Sequence, residues 1–266
     1  MTTTPAARPA PENLTARPAS ARRAWVEPHM GMPVSIHLRG DGALSPSAER
    51  AVRAAFETFR EMDDIFSTYR PQSQLMRLRR AEIGLAACSP LLAGALAIGE
   101  HAERVTEGAF TTLLPTGEGE LAFDPTGLVK GWTVDLASGH LSDLPGVSWC
   151  INAGGDLRVG AHPDLPRSGP GSITWRVGVE DPGDRTRVAR AIALTEGAVA
   201  TSGNAARGAH LYDPASEWMV DRAGSVTVTG PTLLWADVWA TALFVGGLPT
   251  REAFETDAVG YAAFTL

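Results

Sequence analysis

The spacing of apolar and polar residues changes period along this chain, and each change predicts an element. Residues 34–38 alternate with the two-residue period of a strand, and Gly40-Asp41-Gly42 ends it. Ser45-Pro46 then has the form of a helix start, a hydroxyl N-cap with proline in the first turn. Behind it Ala48, Val52, Ala55, Phe56, Phe59, Met62 and Phe66 recur mostly three or four apart, which predicts one buried helix face. Ser89-Pro90 repeats the start signal and opens a second helix through Leu92, Leu96 and Val105, stopping near Gly108. A third helix is predicted from Gly127 to about Ala137, with Gly139 as its C-terminal stop.

Beyond that point the period shortens to that of strands. Residues 147–153 and 156–161 flank Gly154-Gly155, and paired glycines supply the positive φ angles of a tight hairpin. Further strands are predicted over 173–179, 188–194, 198–201 and 225–229. Residues 233–245 are apolar apart from Asp237 and Thr241, a long buried helix, and a short helix follows near 251–258. Helices and strands in mixed order, without a βαβ repeat, predict an α+β fold of antiparallel-rich sheets with packed helices. Residues 1–24, rich in Pro, Ala, Thr and Arg, read as a disordered leader, and 25–266 as one domain.

Composition narrows the partners. Of the 266 residues 44% are hydrophobic, enough for a large core, and the formal net charge is −7. Basic residues occur singly, so a nucleic-acid backbone is not the expected partner. Cys88 and Cys150 are far apart and lack CxxC spacing, which indicates neither a thiolate zinc site nor a disulfide framework. The first 24 residues hold no apolar run of signal-peptide or membrane-span length, and the expected location is cytoplasmic. Dinucleotide-fold, P-loop, zinc-protease and serine-hydrolase signatures are absent, which disfavours a Rossmann or P-loop reading.

Two segments carry candidate chemistry. Asp237 and Thr241 stand four apart on one helix face, a carboxylate and a hydroxyl able to meet one hard cation. Asp124, Gly127 and Lys130 place an acid, a glycine and a lysine at the mouth of another helix, where backbone N–H groups favour phosphate. Together they suggest magnesium and a diphosphate. The plainer readings are an Asp237 satisfied by backbone or a paired charge, and a Lys130 that is a solvated surface charge.

The order of short blocks along the chain resembles the FAD:protein FMN transferases, the ApbE family. The blocks are Met30-Gly31, then Phe66 with Ser67-Thr68-Tyr69-Arg70-Pro71-Gln72-Ser73, and Gly108-Ala109-Phe110. Asp124-Pro125-Thr126-Gly127-Leu128-Val129-Lys130-Gly131-Trp132-Thr133-Val134-Asp135 follows, then Asn152-Ala153-Gly154-Gly155-Asp156. Last come Ala200-Thr201-Ser202-Gly203, His210-Leu211-Tyr212-Asp213-Pro214, and Ala236-Asp237 with Thr241. The resemblance implies magnesium-dependent transfer of FMN from FAD to a Ser/Thr hydroxyl of a partner flavoprotein, with release of AMP. It implies a magnesium site made by the Gly127 carbonyl, Asp237 and Thr241, all oxygen donors. It implies contacts to FAD from Met30, Tyr69, Ala109, Phe110, Thr111, Asp124, Lys130 and Tyr212, and a general base at His210. For Tyr69 and Phe110 the alternative is an ordinary core aromatic, and for His210 a hydrogen-bonded structural histidine. Asp213 and Asp156 read as structural, the first starting a turn with Pro214 and the second closing the glycine hairpin.

Three positions depart from the family pattern. Thr111 replaces a common Asp, Asn204-Ala205 replaces an acid and an aromatic, and Ala240 replaces a second acid found in some members. Asp237 is then the one protein carboxylate in the implied metal shell. Two rival functions follow: an FAD pyrophosphatase giving FMN and AMP, and a flavin-binding protein without turnover.

Overall fold

The first hairpin is set by a turn that few residues tolerate. β1 (Arg22–His29) and β2 (Met32–Arg39) pair in antiparallel fashion through Met30 and Gly31, whose φ angles are 52° and 73°. β1 takes in residues 22–24, which the sequence reading assigned to a leader. The computed structural model describes residues 21–116, 119–204 and 211–266.

The helix starts follow the sequence closely. Ser45 Oγ accepts the Ala48 N–H at 3.1 Å and opens α1 (Pro46–Phe66), whose predicted apolar face is buried throughout. A short α2 (Gln74–Arg79) precedes α3 (Pro90–Val105), which Ser89 caps through the Leu91 N–H. The small hairpin β3 (Leu113–Pro115) and β4 (Leu121–Phe123) leads into α4 (Thr126–Ser142). Gly139 does not stop α4. The next turn carries the fully buried Leu141, and packing of that side chain outweighs the weak helix preference of glycine.

β5 (Ser148–Ala153) and β6 (Asp156–Ala161) form the predicted hairpin, with Gly154 and Gly155 at φ 64° and 106°. β7 (Trp175–Asp181) and β8 (Asp184–Leu194) make a separate antiparallel ribbon, followed by β9 (Gly197–Gly203). The two-residue strands β10 (Tyr212–Asp213) and β11 (Trp218–Met219) pair with each other. β12 (Ser225–Gly230), α5 (Leu233–Val245), α6 (Leu248–Asp257) and β13 (Ala262–Thr265) complete the order. One seven-stranded antiparallel sheet has the order β1-β2-β5-β6-β9-β12-β13. The result is the expected α+β architecture with antiparallel sheets.

The two sheet faces have different covers. Val34, Ile36 and Leu38 point to the large core shared with α1, α4 and α5. Cys150, Leu157, Val159 and Val199 point the other way, into a smaller core closed by Trp175 and Val177 of β7. α5 packs on α4, β9 and β12. Its N-terminus has no cap from Thr232; Asp135 of α4 accepts the N–H groups of Leu233 and Leu234 at 2.9 Å each. Arg158 of β6 pairs with the same carboxylate at 2.7 Å, which ties helix, helix and sheet together.

Two glycines of α4 behave oppositely under one substitution. A Cβ at Gly131 would stand 2.8 Å from the Leu233 carbonyl oxygen and 2.9 Å from Leu234 Cα, both backbone, whereas Gly139 faces open space. Gly131→Ala is expected to cost about 1–3 kcal/mol from forced separation of α4 and α5, more than the propensity gain of up to about 1 kcal/mol. Gly139→Ala is expected to stabilise by roughly 0.5–1 kcal/mol. Urea unfolding of both variants checks the pair of signs.

Candidate functional site

Charge enters the apolar centre from three elements. Lys130 of α4 places its ammonium on the carboxylate of Asp156, the first residue of β6, and 3.2 Å from Asp237 Oδ1 of α5. The side chains of Asp156 and Asp237 are each 6% exposed and that of Lys130 is 22% exposed. Such burial is tolerable for charges only because they meet one another. Burial by itself would lower the ammonium pKa, but Asp156 and then Asp237 outweigh it and hold Lys130 above the usual lysine value. Lys130 is therefore a permanent cation, not a solvated surface charge.

The remaining oxygens of this centre come from β9. Asp156 Oδ1 accepts the Thr201 N–H at 2.8 Å, and the adjacent Ser202 hydroxyl lies 3.0 Å from Thr241 Oγ1. A continuous path thus runs from Lys130 through Asp156 and β9 back to α5, where Thr241 stands one turn beyond Asp237. The Asn152 side chain, accepting the Gly155 N–H at 3.0 Å, braces the glycine turn. Asp156 is thereby released for Lys130. Asp156 closes the hairpin opposite Ala153, as expected, and in addition holds Lys130.

The acid at the mouth of α4 has a different set of partners. Asp124 Oδ1 accepts from the Thr126 N–H at 3.0 Å and from the Thr126 hydroxyl at 2.6 Å. Its other oxygen pairs with Arg79 Nη2 at 3.0 Å, while Arg79 Nε donates to the Phe123 carbonyl at 2.8 Å. Asp124 therefore anchors α2 to the start of α4. Phe110 is buried and packs over Gly127, where an added Cβ would sit 3.4 Å from the ring. Ala109 is buried beside it in sequence, and Thr111 Oγ1 accepts the Leu113 N–H at 3.0 Å. Met30 is half-buried against the main core, Tyr212 is half-buried on β10, and Tyr69 is 93% exposed. His210 lies outside the described residues, as does Ala205.

The structure thus joins Lys130, Asp237 and Thr241, and adds Asp156 and Ser202, which sequence reasoning did not propose as site residues. Their signal was present in the Asn152 to Asp156 and Ala200 to Gly203 blocks. Arg79 had no such signal, because a helix of six residues is too short to show a period. The donors at Asp237, Thr241 and Ser202 are all hard oxygens, a chemistry that fits magnesium. Among the described residues, no three His, Cys, Asp or Glu side chains cluster as metal ligands, so any cation here would rely on hydroxyl, carbonyl, water or phosphate oxygens.

Comparison with known proteins brings the same segments together. The ApbE family model matches residues 30–116 and 114–264. The chain is similar to the FAD:protein FMN transferase of Vibrio cholerae serotype O1, 31% identical over 138 residues, covering 48% of this chain and 40% of that protein. It is also similar to the FAD:protein FMN transferase of Haemophilus influenzae, 29% identical over 136 residues, covering 47% and 37% respectively. The matched region spans about two fifths of the length of these relatives. Among solved structures, the ApbE protein of Thermotoga maritima aligns with a TM-score of 0.73 at 20% identity, covering 91% of this chain and 93% of that one. The Vibrio cholerae flavin transferase ApbE aligns at 0.71 and 20% identity, covering 92% and 97%. These likenesses establish the fold.

The buried cluster makes a definite prediction. Lys130→Met leaves Asp156 and Asp237 without their shared cation, and is expected to cost about 3–5 kcal/mol at pH 7. The two carboxylates then prefer to hold a proton in the folded state, so the deficit should shrink as pH falls toward the carboxylate range. In the unmodified chain the Lys130 contribution is fully present below about pH 10.4 and is lost only as pH rises through its raised folded value. Urea midpoints of both proteins between about pH 5 and 8 check the sign.

Proposed function

The chain belongs to the ApbE family, and from that membership we propose that it transfers FMN from FAD to a serine or threonine hydroxyl of a partner flavoprotein. Magnesium is the proposed cofactor and AMP the second product. The observation that carries this reading is the buried Asp237 carboxylate, held by the Lys130 ammonium one helical turn from Thr241, whose hydroxyl meets Ser202 in an oxygen-only set of donors. The magnesium of a bound diphosphate requires hard oxygen ligands. Two relatives bearing the name FAD:protein FMN transferase support the choice of substrate.

Asp237, Thr241 and the Gly127 carbonyl are the proposed magnesium ligands. When bound, the ion would supply neutralisation of the charge that grows on the diphosphate oxygens. Lys130 orients Asp237 through their ion pair, and its own position is set by Asp156. Met30, Tyr69, Ala109, Phe110, Thr111, Asp124 and Tyr212 are the proposed contacts to the rest of FAD. Tyr69 is an exposed aromatic able to lie against a flat ring, while buried Phe110 packs on Gly127 of α4. In the transfer step the acceptor hydroxyl oxygen bonds to the FMN phosphorus, and the phosphorus–oxygen bond to AMP breaks. His210 takes the hydroxyl proton, and AMP leaves with the electron pair of the broken bond. The proposed compartment is the cytoplasm, whose reducing conditions suit the free thiols of Cys88 and Cys150. No helix of the described residues is long and apolar enough to cross a membrane.

Incubation with FAD, magnesium and a candidate acceptor should add FMN less water to the acceptor and release AMP in equal amount, read by intact mass and chromatography. Free FMN with AMP and no labelled acceptor would make the protein a hydrolase, and binding without products would make it a flavin carrier. Asp237→Asn should leave the fold intact and abolish most of the strengthening of FAD binding by magnesium. Equal strengthening in both proteins would remove Asp237 from the metal site. His210→Ala should keep FAD binding while transfer falls by roughly 10²–10⁴; transfer rates at native level would exclude it as the base.

A further inference from the structure

On the sheet face opposite the helices, the first hairpin sets two like charges directly across from each other. Arg22 of β1 is paired with Arg39 of β2, and Ala24 with His37. Opposed like charges destabilise a strand pair. His37 shares its face with Cys150, its partner on β5, and both lie on the Trp175 side of the sheet. The same residues line a cavity of about 350 Å³ whose walls include Arg22, Arg23, His37, Arg39 and Trp175, and no acid. It is a half-open surface depression, with Arg22 and Ala24 exposed at its rim. The small side chain of Ala24 leaves the space beside His37 open.

Of these cations, Arg39 is held in place without being neutralised. The Arg39 guanidinium stacks 4.0 Å from the Trp175 ring centroid and donates one N–H to the Thr174 carbonyl at 3.3 Å. The ring is itself fixed, because Trp175 Nε1 donates to Ser148 Oγ at 2.8 Å. A guanidinium has five N–H donors, so the rest of the Arg39 fork is available. Among the described residues, Glu49 pairs with Arg23 at 3.3 Å, whereas no carboxylate pairs with Arg22 or Arg39. Burial, and then the Arg39 charge, lower the pKa of His37, as expected where positive charge lacks a counterion. In a chain of net charge −7 this is a local inversion of sign.

We propose that the cavity between Arg22, Arg39, His37 and Trp175 is a binding site for the phosphate group of a small phosphate ester. Phosphate oxygens accept from two guanidinium forks at once, and the bound anion relieves the Arg22–Arg39 repulsion. The site lies across the sheet from Lys130 and Asp237, so it is independent of the proposed transfer chemistry.

The test is thermal unfolding of the full chain with inorganic phosphate, with ribose 5-phosphate, and with sodium chloride at matched ionic strength. Both phosphates should raise the melting temperature saturably, the ester more than the inorganic ion, because ligand binding to the folded state stabilises it by mass action. Arg22→Gln should abolish most of that shift, yet melt above the unmodified chain in phosphate-free buffer, because the opposed charge is gone. Arg39→Gln should also lose the response. An equal shift from chloride, an unchanged response in Arg22→Gln, or a response to inorganic phosphate alone would overturn the proposal.

Discussion

The Lys130 ammonium is the interaction around which the rest of this structure is organised. A lone cation at that depth would be unstable, and so would either of the two carboxylates it meets. Each of the three comes from a different element, α4, β6 and α5, so the charges are satisfied only when helices and sheet are docked together. The ion cluster is weak evidence for net stability, since desolvation offsets much of its attraction. It does specify one arrangement. A shift of α5 by one residue would turn Asp237 away from Lys130 and bring an apolar neighbour in its place.

The close packing of α4 on α5 follows from that requirement and makes it geometrically possible. Gly131 lets the backbone of α5 approach to contact, and Asp135 reaches across to hold the first N–H groups of α5. Burial raises the Asp135 pKa, against the Arg158 charge and the two amide bonds that stabilise the carboxylate. Lys130 and Asp135 thus use one helix to pin both the interior and the N-terminus of its neighbour. Asp124 does the same for α2 through Arg79.

The sheet separates two chemical environments because side chains alternate along every strand. On the helix face Val34, Ile36 and Leu38 enter the core, and Asp156 and Arg158 reach acids or bases of α4. On the other face the β7–β8 ribbon covers Cys150, Leu157 and Val159, and burial pushes the Cys150 thiol up to about 12. An inert thiol, a fixed tryptophan and an uncompensated arginine pair make that face unlike the first. The chain therefore offers charge at two places with no shared residues.

Much of the fold was legible in the sequence wherever a local rule governs. Ser45-Pro46 and Ser89-Pro90 marked helix starts because a hydroxyl caps the turn immediately after it. The run from Leu233 to Val245 marked its helix because only a fully buried segment is so uniformly apolar. The glycine hairpin and the pairing of Asp237 with Thr241 on one face were likewise set by local geometry. Short elements such as α2 and β13 were not legible, because they hold too few residues for a period and are fixed by what they pack on. Gly139 misled because a glycine stops a helix only if tertiary packing does not continue it. The sequence alone determined which residue types stand on which faces of which long elements. Only the tertiary structure decided that Lys130 turns inward to Asp156 and Asp237, and that Arg22 faces Arg39, because a charge has no preferred partner until folding brings distant segments within reach of its field.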